Sequence, residues 1–489
     1  MAKKVNLNSM PWFRIGILGI FLLSLALRFW GLERFNTLVF DEVYFAKFGN
    51  NYLTQTPFFN AHPPLSQYII GIGIWLGSHV PFWQEPVNGL TGSLRSPWSY
   101  RWLNALTGSF IPVIVTAIAY QISRRRSFAL LAGLFTACDG IFLVESRYAL
   151  NNIYIVIFGL LGQLCLLLAL DNQKQRRSLW LILAGISFGA SAGTKWNGLW
   201  FLLGAYLIWI TAWMIHYLHT LTSPSTPSFS SPQTPLQNLT QLNIFQMIFY
   251  LGIIPAFIYS IIWIPHLQLD QRYGFIQVHQ QILNFHLQLG GNSRDVHPYC
   301  AAWYKWPLMM RPMAYYYQTT QSFTDPLPVM GPNLPAGVGK VIYDVHAMGN
   351  PVLWWLGMGA MLFLLAMLLT KMAIPLIKQQ RWIVPENLSV DTWIALYLVL
   401  NYAANLLPWV KVTRCVFIYH YMCAVVFVFL AIAWFVDQCL RSYYHQLRAF
   451  GVTLAFLIIA AFIYWMPIYL GLPLSVDDYK MRMLFDSWI

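Results

Sequence analysis

Two acidic residues, Asp41 and Glu42, stand side by side about ten residues after the first long apolar run of the chain. The sequence His62-Pro63-Pro64 follows about twenty residues later. Adjacent carboxylates beside a membrane carry a desolvation cost, which indicates a compensating use. A carboxylate held partly out of water has a raised pKa and can accept the proton of a hydroxyl group. The sequence predicts that Asp41 or Glu42 is a general base; the alternative is that the pair only caps a helix that starts near Val43.

Four cations form a second group that could do chemistry: Arg147, Lys195, Lys411 and Arg414. They lie in or beside short connections that the topology below places outside the membrane, where short loops ordinarily carry few basic residues. A single Arg or Lys near a helix end can snorkel to lipid headgroups. Four together favour a site for a lipid-linked phosphate, because Arg and Lys neutralise phosphate with charged donors.

The composition places most of the chain in a membrane. Of its 489 residues, 58% are hydrophobic and only 10% are charged, whereas soluble domains have about 25% charged residues. The net charge of +13 comes from scattered Lys and Arg without a basic tract, which argues against nucleic acid as a partner. The first apolar run has no small-residue cleavage site, so it is predicted to be a retained span.

Eleven apolar runs are long enough to span a bilayer as helices. They fall near residues 12–30, 103–121, 127–143, 153–170, 179–194, 198–217, 244–264, 352–370, 392–408, 415–436 and 449–470. A shorter stretch, 65–79, opens after Pro63-Pro64 and is predicted to be an interfacial or re-entrant helix. The expected fold class is an all-α polytopic membrane protein with about 11 transmembrane helices.

Basic residues in short loops orient these helices. The residues that fall on one side, interpreted as cytoplasmic, are Lys3, Lys4, Arg124 to Arg126, Lys174, Arg176, Arg177, Lys371, Lys378, Arg381, Arg441 and Arg448. Two long loops, 31–101 and 265–351, then face outward, as does the tail after Leu470. Residues 219–243 are predicted to be a polar cytoplasmic linker. We expect the two outward loops to fold together and to bring Asp41 near Arg101 and Arg147.

Several motifs resemble those of the protein O-mannosyltransferase family. The segments are Phe40 to Phe45, Phe58 to Leu65, Tyr100-Arg101, Ser146-Arg147-Tyr148, Gly193 to Leu199, Gly349-Asn350-Pro351 before Trp354-Trp355, Leu407-Pro408-Trp409 and Arg414 to Tyr421. The first-loop motif is specific, and the later pieces are individually weak but follow the family's order. The resemblance covers nearly the whole chain.

The resemblance implies a GT-C glycosyltransferase fold. Outside the membrane there is no pool of nucleotide sugar, so a lipid carrier must supply the activated group. The family's activity would be transfer of mannose from polyprenyl phosphate to Ser or Thr hydroxyls of exported proteins, with inversion at the anomeric carbon. By position, Asp41 matches the family's proposed catalytic acid, Glu42 its partner and Arg101 a functionally important Arg. The second outward loop has only about 87 residues, so the large MIR insert of eukaryotic members is absent and a bacterial type is implied.

The remaining expectations follow from this resemblance and from single residues. The enzyme would lie in the plasma membrane with its active site facing outward, need no cofactor, and meet its acceptors during export. The expected domains are a GT-C domain over 1–264, the second outward loop over 265–351 and a four-helix-type transmembrane region over 352–489. Alternatives are a GT-C transferase that moves another lipid-linked sugar to a lipid or glycan, as aminoarabinose transferases do, and a transporter.

The donor phosphate or sugar is expected to meet six residues, namely Arg101, Arg147, Lys195, Lys411, Arg414 and His420. His62, Pro63 and Pro64 are assigned to the first-loop active-site region, with His62 interpreted as structural or as a proton carrier. Departures from the family pattern are Asn60 for an Asp, Ser66-Gln67 for Gly-Lys, and Asn151-Asn152 in place of an acid.

Other residues support weaker expectations. His279, His286 and His297 share a loop with Asp295, which permits a divalent metal site as an alternative. Asp139 is expected to pair with Arg147, and Trp303, Trp306, Trp354 and Trp355 are expected mostly to anchor at the membrane interface. Six cysteines without a CxxC motif argue against a disulfide framework.

Overall fold

The computed structural model describes residues 11–90, 92–171, 176–222, 234–293, 295–379 and 388–489. Helices dominate it. They are α1 (Pro11–Phe29), α2 (Glu42–Leu53), α3 (Leu65–Gly77), α4 (Pro97–Ser123), α5 (Arg126–Ala137), α6 (Gly140–Arg147), α7 (Asn152–Leu170), α8 (Arg177–Ala192), α9 (Leu199–Thr222), α10 (Ile244–Ile248), α11 (Ile254–Ile262), α12 (Ile264–Leu269), α13 (Phe275–Gln288), α14 (Pro351–Gln379), α15 (Val390–Leu406), α16 (Met422–Leu440), α17 (His445–Leu470) and α18 (Val476–Arg482).

All eleven predicted apolar runs are helical. Within the described ranges, nine helical segments are long and apolar enough to cross a membrane, α5 and α6 form one further pair bent by 58°, and α8 is a shorter apolar helix. These three groups account for the eleven expected spans, and the protein is a multi-pass membrane protein. Helices α7 and α16 are mostly buried, which explains why their sequences are apolar on every face.

The bend between α5 and α6 is stabilised by Asp139. Its carboxylate accepts the backbone N–H of Phe142 (3.1 Å), which starts α6, and also the N–H of Asn350 (3.0 Å) and the indole N–H of Trp354 (2.8 Å). The expected pairing of Asp139 with Arg147 is therefore wrong. A carboxylate at a helix start is better satisfied by the free N–H groups there.

Two small sheets lie in the outward segments. Strands β1 (Asn88–Leu90) and β2 (Ser93–Arg95) form a hairpin, and β3 (Met313–Thr320), β4 (Val341–Ala347) and β5 (Leu474–Ser475) form an antiparallel sheet in that order. Strand β5 belongs to the tail after Leu470, and it pairs with β4 of the loop 265–351. The tail and the second outward loop therefore lie on the same side, as the topology requires.

The predicted cytoplasmic side carries paired charges. Arg124 binds Asp171 (2.6 Å), and Arg125 binds Asp391 through both terminal nitrogens (2.6 and 2.8 Å).

The predicted linker 219–243 is shorter than expected, because α9 extends to Thr222 and Pro235–Gln241 is a 3-10 helix. Its middle, 223–233, lies outside the described residues, as do Lys3, Lys4, Lys174 and Arg381.

Candidate active site

Glu42 and Arg101 form a closed ion pair at the base of the first outward loop. Both side chains are fully buried, and two nitrogens of Arg101 contact the two carboxylate oxygens of Glu42 at 2.9 and 2.7 Å. The remaining N–H groups of Arg101 bind the backbone carbonyls of Leu32, Phe35 and Thr37. An Arg has five N–H donors, and all five are used here. Arg101 therefore holds the loop, and the expectation that it binds the donor is not supported.

Glu42 is equally saturated. Besides Arg101, it accepts the backbone N–H groups of Val39 (2.8 Å) and Ala149 (2.9 Å). The second contact joins the first loop to the segment after α6. A carboxylate with four donors around it has no free lone pair directed at a substrate. The geometry makes Glu42 a structural anchor.

Arg147 caps the end of the first span. Its guanidinium donates to the carbonyls of Leu27 (3.0 Å), Arg28 (3.2 Å), Trp30 (2.6 Å) and Gly31 (3.2 Å), which are the last carbonyls of α1 and the turn after it. A cation at a helix C-terminus satisfies carbonyls that have no partner within the helix. This buried Arg is turned towards α1, so its predicted contact with the donor is not supported either.

Asp41 has the opposite environment. It is half-buried, it is the first residue before α2, and its side chain makes no capping hydrogen bond. The alternative that it caps the helix is therefore not realised through its carboxylate. Burial raises the pKa of Asp41 to about 6, although the nearby Lys195 ammonium opposes this shift. A carboxylate with a pKa near the working pH is suited to act as a general base.

The backbone before Asp41 is fixed by an aromatic stack. Phe40 adopts a left-handed conformation with φ of 52°, which is rare for a bulky residue and is found where surrounding contacts enforce it. Its ring stacks on Tyr315 of β3 at 4.0 Å between centroids, with an interplanar angle of 13°. The second outward loop thus reaches the turn that presents Asp41, so the two loops do fold together, but the cation beside Asp41 is Lys195.

Lys195 lies in the turn between α8 and the 3-10 helix Trp196–Gly198. This turn needs Gly198, because a Cβ there would lie 2.4 Å from the backbone oxygen of Ser191. The ammonium is nearly buried, at 7% exposure, and lies 5.3 Å from the ring centroid of Tyr419. Burial lowers the pKa of Lys195 to about 8; repulsion from Arg414 adds to the shift, and Asp41 and Glu145 oppose it.

Arg414 is held where the second outward loop meets the segment before α16. The segments on either side pair through Cys415 N–H with Gly290 O (2.8 Å) and Ala301 N–H with Val416 O (2.8 Å), and a disulfide joins Cys300 to Cys415. The expectation that no disulfide framework exists is thus wrong for this pair, because Cys415 lies in a loop before α16 and not inside a span. The bond ties the second outward loop to the segment that carries Arg414.

His62 and His286 form a stacked pair near these cations. Their ring centroids are 5.4 Å apart, and His286 contacts the carbonyl of Ala61 at 3.0 Å. Burial lowers the pKa of His62 well below its ordinary value, and Lys195, His286 and Arg414 add to this effect. Both rings are therefore neutral near pH 7.

Pro64 precedes α3, whose first N–H, on Leu65, donates to the carbonyl of Gly193 (3.0 Å) near Lys195.

His420 and Lys411 differ from each other. His420 is buried in an aromatic group, 4.5 Å from Tyr419 and 4.7 Å from Trp409 between centroids, and its Nδ1 contacts the carbonyl of Phe417 at 3.0 Å. His420 lies close enough to Lys195 and Arg414 for their positive charges to act on its imidazole ring. Lys411 is exposed.

Trp306 and Trp354 are buried, so they are packing residues and not interface anchors as expected.

The residues predicted as a possible metal site do not converge. His279 contacts Tyr259 (2.6 Å), His286 contacts Ala61, and Asp295 accepts from Ser293 (2.9 Å). Across the described ranges, no group of three or more His, Cys, Asp or Glu is arranged to hold a metal ion. The metal site that the sequence permits as an alternative at these positions is therefore not supported.

An apolar groove of about 910 Å³ lies next to the turn that carries Lys195. Trp196 and Asn197, which follow Lys195 in the chain, line it, and so do residues of α9 and α11, with Trp200, Tyr206 and Pro255 among them. The N-terminal half of α13 covers part of it through Phe275 and His279. Such a groove beside a buried ammonium can hold an apolar chain whose anionic end meets the cation.

Sequence reasoning missed two residues of this site. Glu145 is fully buried beside Lys195, and Tyr315 donates its hydroxyl to Glu145. Glu145 lies just after the apolar run 127–143. An acid at this position is a sequence signal for a functional residue, because a buried acid in a membrane helix is energetically costly. No sequence signal marked Tyr315, which stands among three consecutive tyrosines.

Comparisons with known proteins agree over the whole chain. Residues 19–269 match the family model described as dolichyl-phosphate-mannose-protein mannosyltransferase, and residues 272–488 match the C-terminal four TMM region of protein-O-mannosyltransferase. The polyprenol-phosphate-mannose–protein mannosyltransferase of Mycolicibacterium smegmatis is 23% identical over 92% of this chain and 88% of its own length. The Mycobacterium tuberculosis protein of the same name is 21% identical over 98% and 92%.

One solved structure shares the fold. The S. cerevisiae protein O-mannosyltransferase Pmt1-Pmt2 complex bound to the sugar donor has a TM-score of 0.73 and 13% sequence identity. The match covers 98% of this chain and 93% of that chain. This similarity extends from the first span to the C-terminal tail, so the helices and both outward segments follow one known architecture.

Proposed function

The chain belongs to the protein O-mannosyltransferase family, and from this premise we propose that it transfers mannose from a polyprenyl-phosphate carrier to Ser or Thr hydroxyls of exported proteins. The observation that carries the proposal is the open site of Asp41, Lys195 and Arg414, together with an apolar groove whose lining includes Trp196, the residue after Lys195. Family membership disfavours the transporter and the transfer of another sugar to a lipid or glycan.

The reaction can be written with these residues. The acceptor hydroxyl oxygen attacks the anomeric carbon of mannose as the bond from that carbon to the phosphate oxygen breaks. Asp41 takes the hydroxyl proton, and the phosphate leaves as a monoester with one more negative charge than the donor had. Lys195 and Arg414 stabilise this added charge. Fixed cations that face a developing negative charge lower the activation free energy, and this is usually the largest single contribution to catalysis. Attack opposite the leaving phosphate gives inversion.

The groove supports the lipid part of the donor. Its walls are formed mostly by apolar residues of α9 and α11, and its lining includes Trp196, the residue after Lys195. A polyprenyl chain in this groove would place its phosphate between Lys195 and Arg414. Transfer without a metal ion remains a prediction, and activity that disappears in EDTA and returns with one divalent cation would contradict it.

The test uses membranes or purified protein with polyprenyl-phosphate [³H]mannose and a Ser/Thr-rich peptide. We expect label on the peptide that β-elimination releases, and none on a peptide with Ala at every Ser and Thr. Label that accumulates on lipid or glycan while the peptide stays unlabelled would replace this proposal with the alternative transferase.

We also propose that the site faces the outside of the plasma membrane. The disulfide Cys300–Cys415 beside Arg414 supports this, since disulfides persist in oxidising compartments. The paired Arg124 and Arg125 support a cytoplasmic opposite face. In intact cells, Leu94→Cys in β2 should react with a membrane-impermeant maleimide, whereas Tyr443→Cys between α16 and α17 should react only after lysis. The reverse pattern would invert the topology.

A further inference from the structure

The proposed reaction uses one carboxylate, yet a second one lies in the same site. Glu145 is the sixth residue of α6, and its side chain is fully buried. A buried carboxylate in a membrane protein is retained only where partners offset its desolvation. The partners of Glu145 therefore indicate what it does.

Asn152 connects Glu145 to the cation of the site, and Tyr315 holds Glu145 from the second outward loop. Tyr315 of β3 donates its hydroxyl to Oε1 of Glu145, and the amide of Asn152 lies 3.3 and 3.2 Å from the two carboxylate oxygens. The other end of the same amide, Oδ1 of Asn152, is 3.4 Å from Nζ of Lys195. A continuous relay thus runs from the second outward loop through Glu145 and Asn152 to the Lys195 ammonium.

The relay addresses an electrostatic problem at Lys195. Its ammonium is buried and repelled by Arg414, and both effects favour loss of its proton. The charged or titratable groups around Lys195 are Asp41 before α2, Glu145 on α6, His62 before α3, His286 on α13, Arg414, Tyr419 and His420 in the segment before α16, and Cys423 on α16. Only two of these groups are acids that counter the repulsion, and Asp41 becomes neutral when it accepts the acceptor's proton.

We propose that Glu145, held by Tyr315 and Asn152, is a positioning residue that keeps the Lys195 ammonium charged and directed at the donor phosphate while Asp41 changes its charge. The role rests on the proposed function. It assigns the two acids of the site to separate tasks: Asp41 exchanges a proton with substrate, and Glu145, bonded to Tyr315 and Asn152, positions Lys195. Tyr315 links Glu145 to the second outward loop, because the same residue stacks on Phe40 beside Asp41.

The test is the pH profile of kcat/KM for the lipid donor in Glu145→Gln. The Gln side chain keeps the shape and can still accept the Tyr315 hydroxyl, but the charge is lost. Lys195 must be protonated to bind phosphate, so activity is present below its pKa and is lost above it. Removal of a charge a few ångströms away should move this alkaline limb to lower pH by about one unit. The loss should therefore grow from almost none near pH 6.5 to nearly tenfold near pH 8.5.

Two further variants separate position from packing. Tyr315→Phe keeps the stack on Phe40 and removes only the hydroxyl, so the limb should move in the same direction by less. This variant carries the test alone if Glu145→Gln does not fold. Tyr317→Phe, on an exposed residue of the same strand, is the matched control and should leave the limb unchanged.

The outcomes distinguish this inference from the proposed function. Active wild-type protein with an unmoved alkaline limb in both Glu145→Gln and Tyr315→Phe would overturn the positioning role and leave the transferase intact. Equal loss at every pH, with a lowered Tm, would make Glu145 a packing residue and overturn it as well. Wild-type protein that transfers no mannose would overturn the proposed function, and this role with it.

Discussion

Glu42 and Asp41 are adjacent in sequence, but each belongs to a different kind of charged region. The closed region consists of Glu42 and Arg101, which are fully buried and satisfy each other and the surrounding backbone. The open region consists of Asp41, Lys195 and Arg414, where the acid makes no capping hydrogen bond and burial shifts the pKa values of both Asp41 and Lys195 toward neutrality. Saturated charges fix a structure, and only unsaturated ones can respond to a substrate.

The difference has a structural cause. Glu42 lies inside the first turn of α2 and points to the start of α4 and the segment after α6, where three elements meet. Asp41 is one residue earlier, after the left-handed turn of Phe40, and its side chain lies close enough to Lys195 for their charges to interact. One step along the chain therefore separates an anchor from a candidate base.

The strongest way to break this comparison is Asp41→Asn. If Asp41 is the base, transfer should fall by about 10²–10⁴-fold, because the amide cannot accept the proton. The Tm should stay unchanged, since the side chain makes no capping bond. The measurement is labelled-mannose transfer to a Ser/Thr peptide together with thermal unfolding in detergent. Asp477→Asn, an exposed outward acid in α18, is the control. Near-normal transfer by Asp41→Asn would remove Asp41 from the mechanism.

Arg101→Ala should affect stability first. It leaves the Glu42 carboxylate buried without its partner, a change that costs about 3–5 kcal/mol. We expect a clearly lower Tm and less protein in the membrane, and Arg101→Lys should not rescue them, because an ammonium cannot replace five planar donors. A stable Arg101→Ala protein with a raised donor KM would show that Arg101 contacts the donor and belongs with Asp41, Lys195 and Arg414.

Loss of the disulfide should weaken the frame around Arg414. The double variant Cys300→Ser, Cys415→Ser opens a loop of 115 residues, and removal of a native disulfide typically costs about 2–5 kcal/mol. We expect a lower Tm and a raised donor KM under oxidising conditions. Cys439→Ser, a free cysteine near the opposite end of the molecule, should behave as wild type. Equal Tm and KM in all three proteins would show that the bond does not position Arg414.

The two outward cations Arg414 and Lys411 sharpen the comparison further. Loss of a charge-assisted contact to the leaving phosphate in Arg414→Ala should raise the donor KM by about 10–100-fold. Lys411→Ala should change it by less than about twofold, because an exposed charge contributes little. Titration of the lipid donor against both variants is the measurement. Equal effects of the two variants on the donor KM would indicate that both side chains bind lipid headgroups and not the leaving phosphate.

The smallest expected effect is the acid limb of the pH profile. The base must be deprotonated to act, so kcat/KM should rise with pH through about 6, the pKa to which burial raises Asp41, and level off above it. In Lys195→Ala the opposing ammonium is absent, and the limb should move to higher pH. A limb near pH 4 in the wild type would indicate an acid in ordinary solvent contact.

The amino-acid sequence determined the elements of this protein. Hydropathy and run length predicted all eleven helical segments, because these properties depend on neighbours along the chain. Motif order predicted the family, and the basic residues in short loops predicted an orientation for the helices. Pro64 and the short helix after it were also predictable from local rules.

Tertiary structure alone decided how the charges are shared. Glu42 reaches Arg101 across 59 residues, Tyr315 reaches Glu145 across 170, and Cys300 joins Cys415 across 115. No local pattern specifies such partners, so the sequence assigned Arg101 and Arg147 to the donor, left Asp41 and Glu42 undivided, and missed Glu145 and the disulfide. The role of a charge depends on how many of its hydrogen bonds the fold already satisfies, and only the packed chain sets that number.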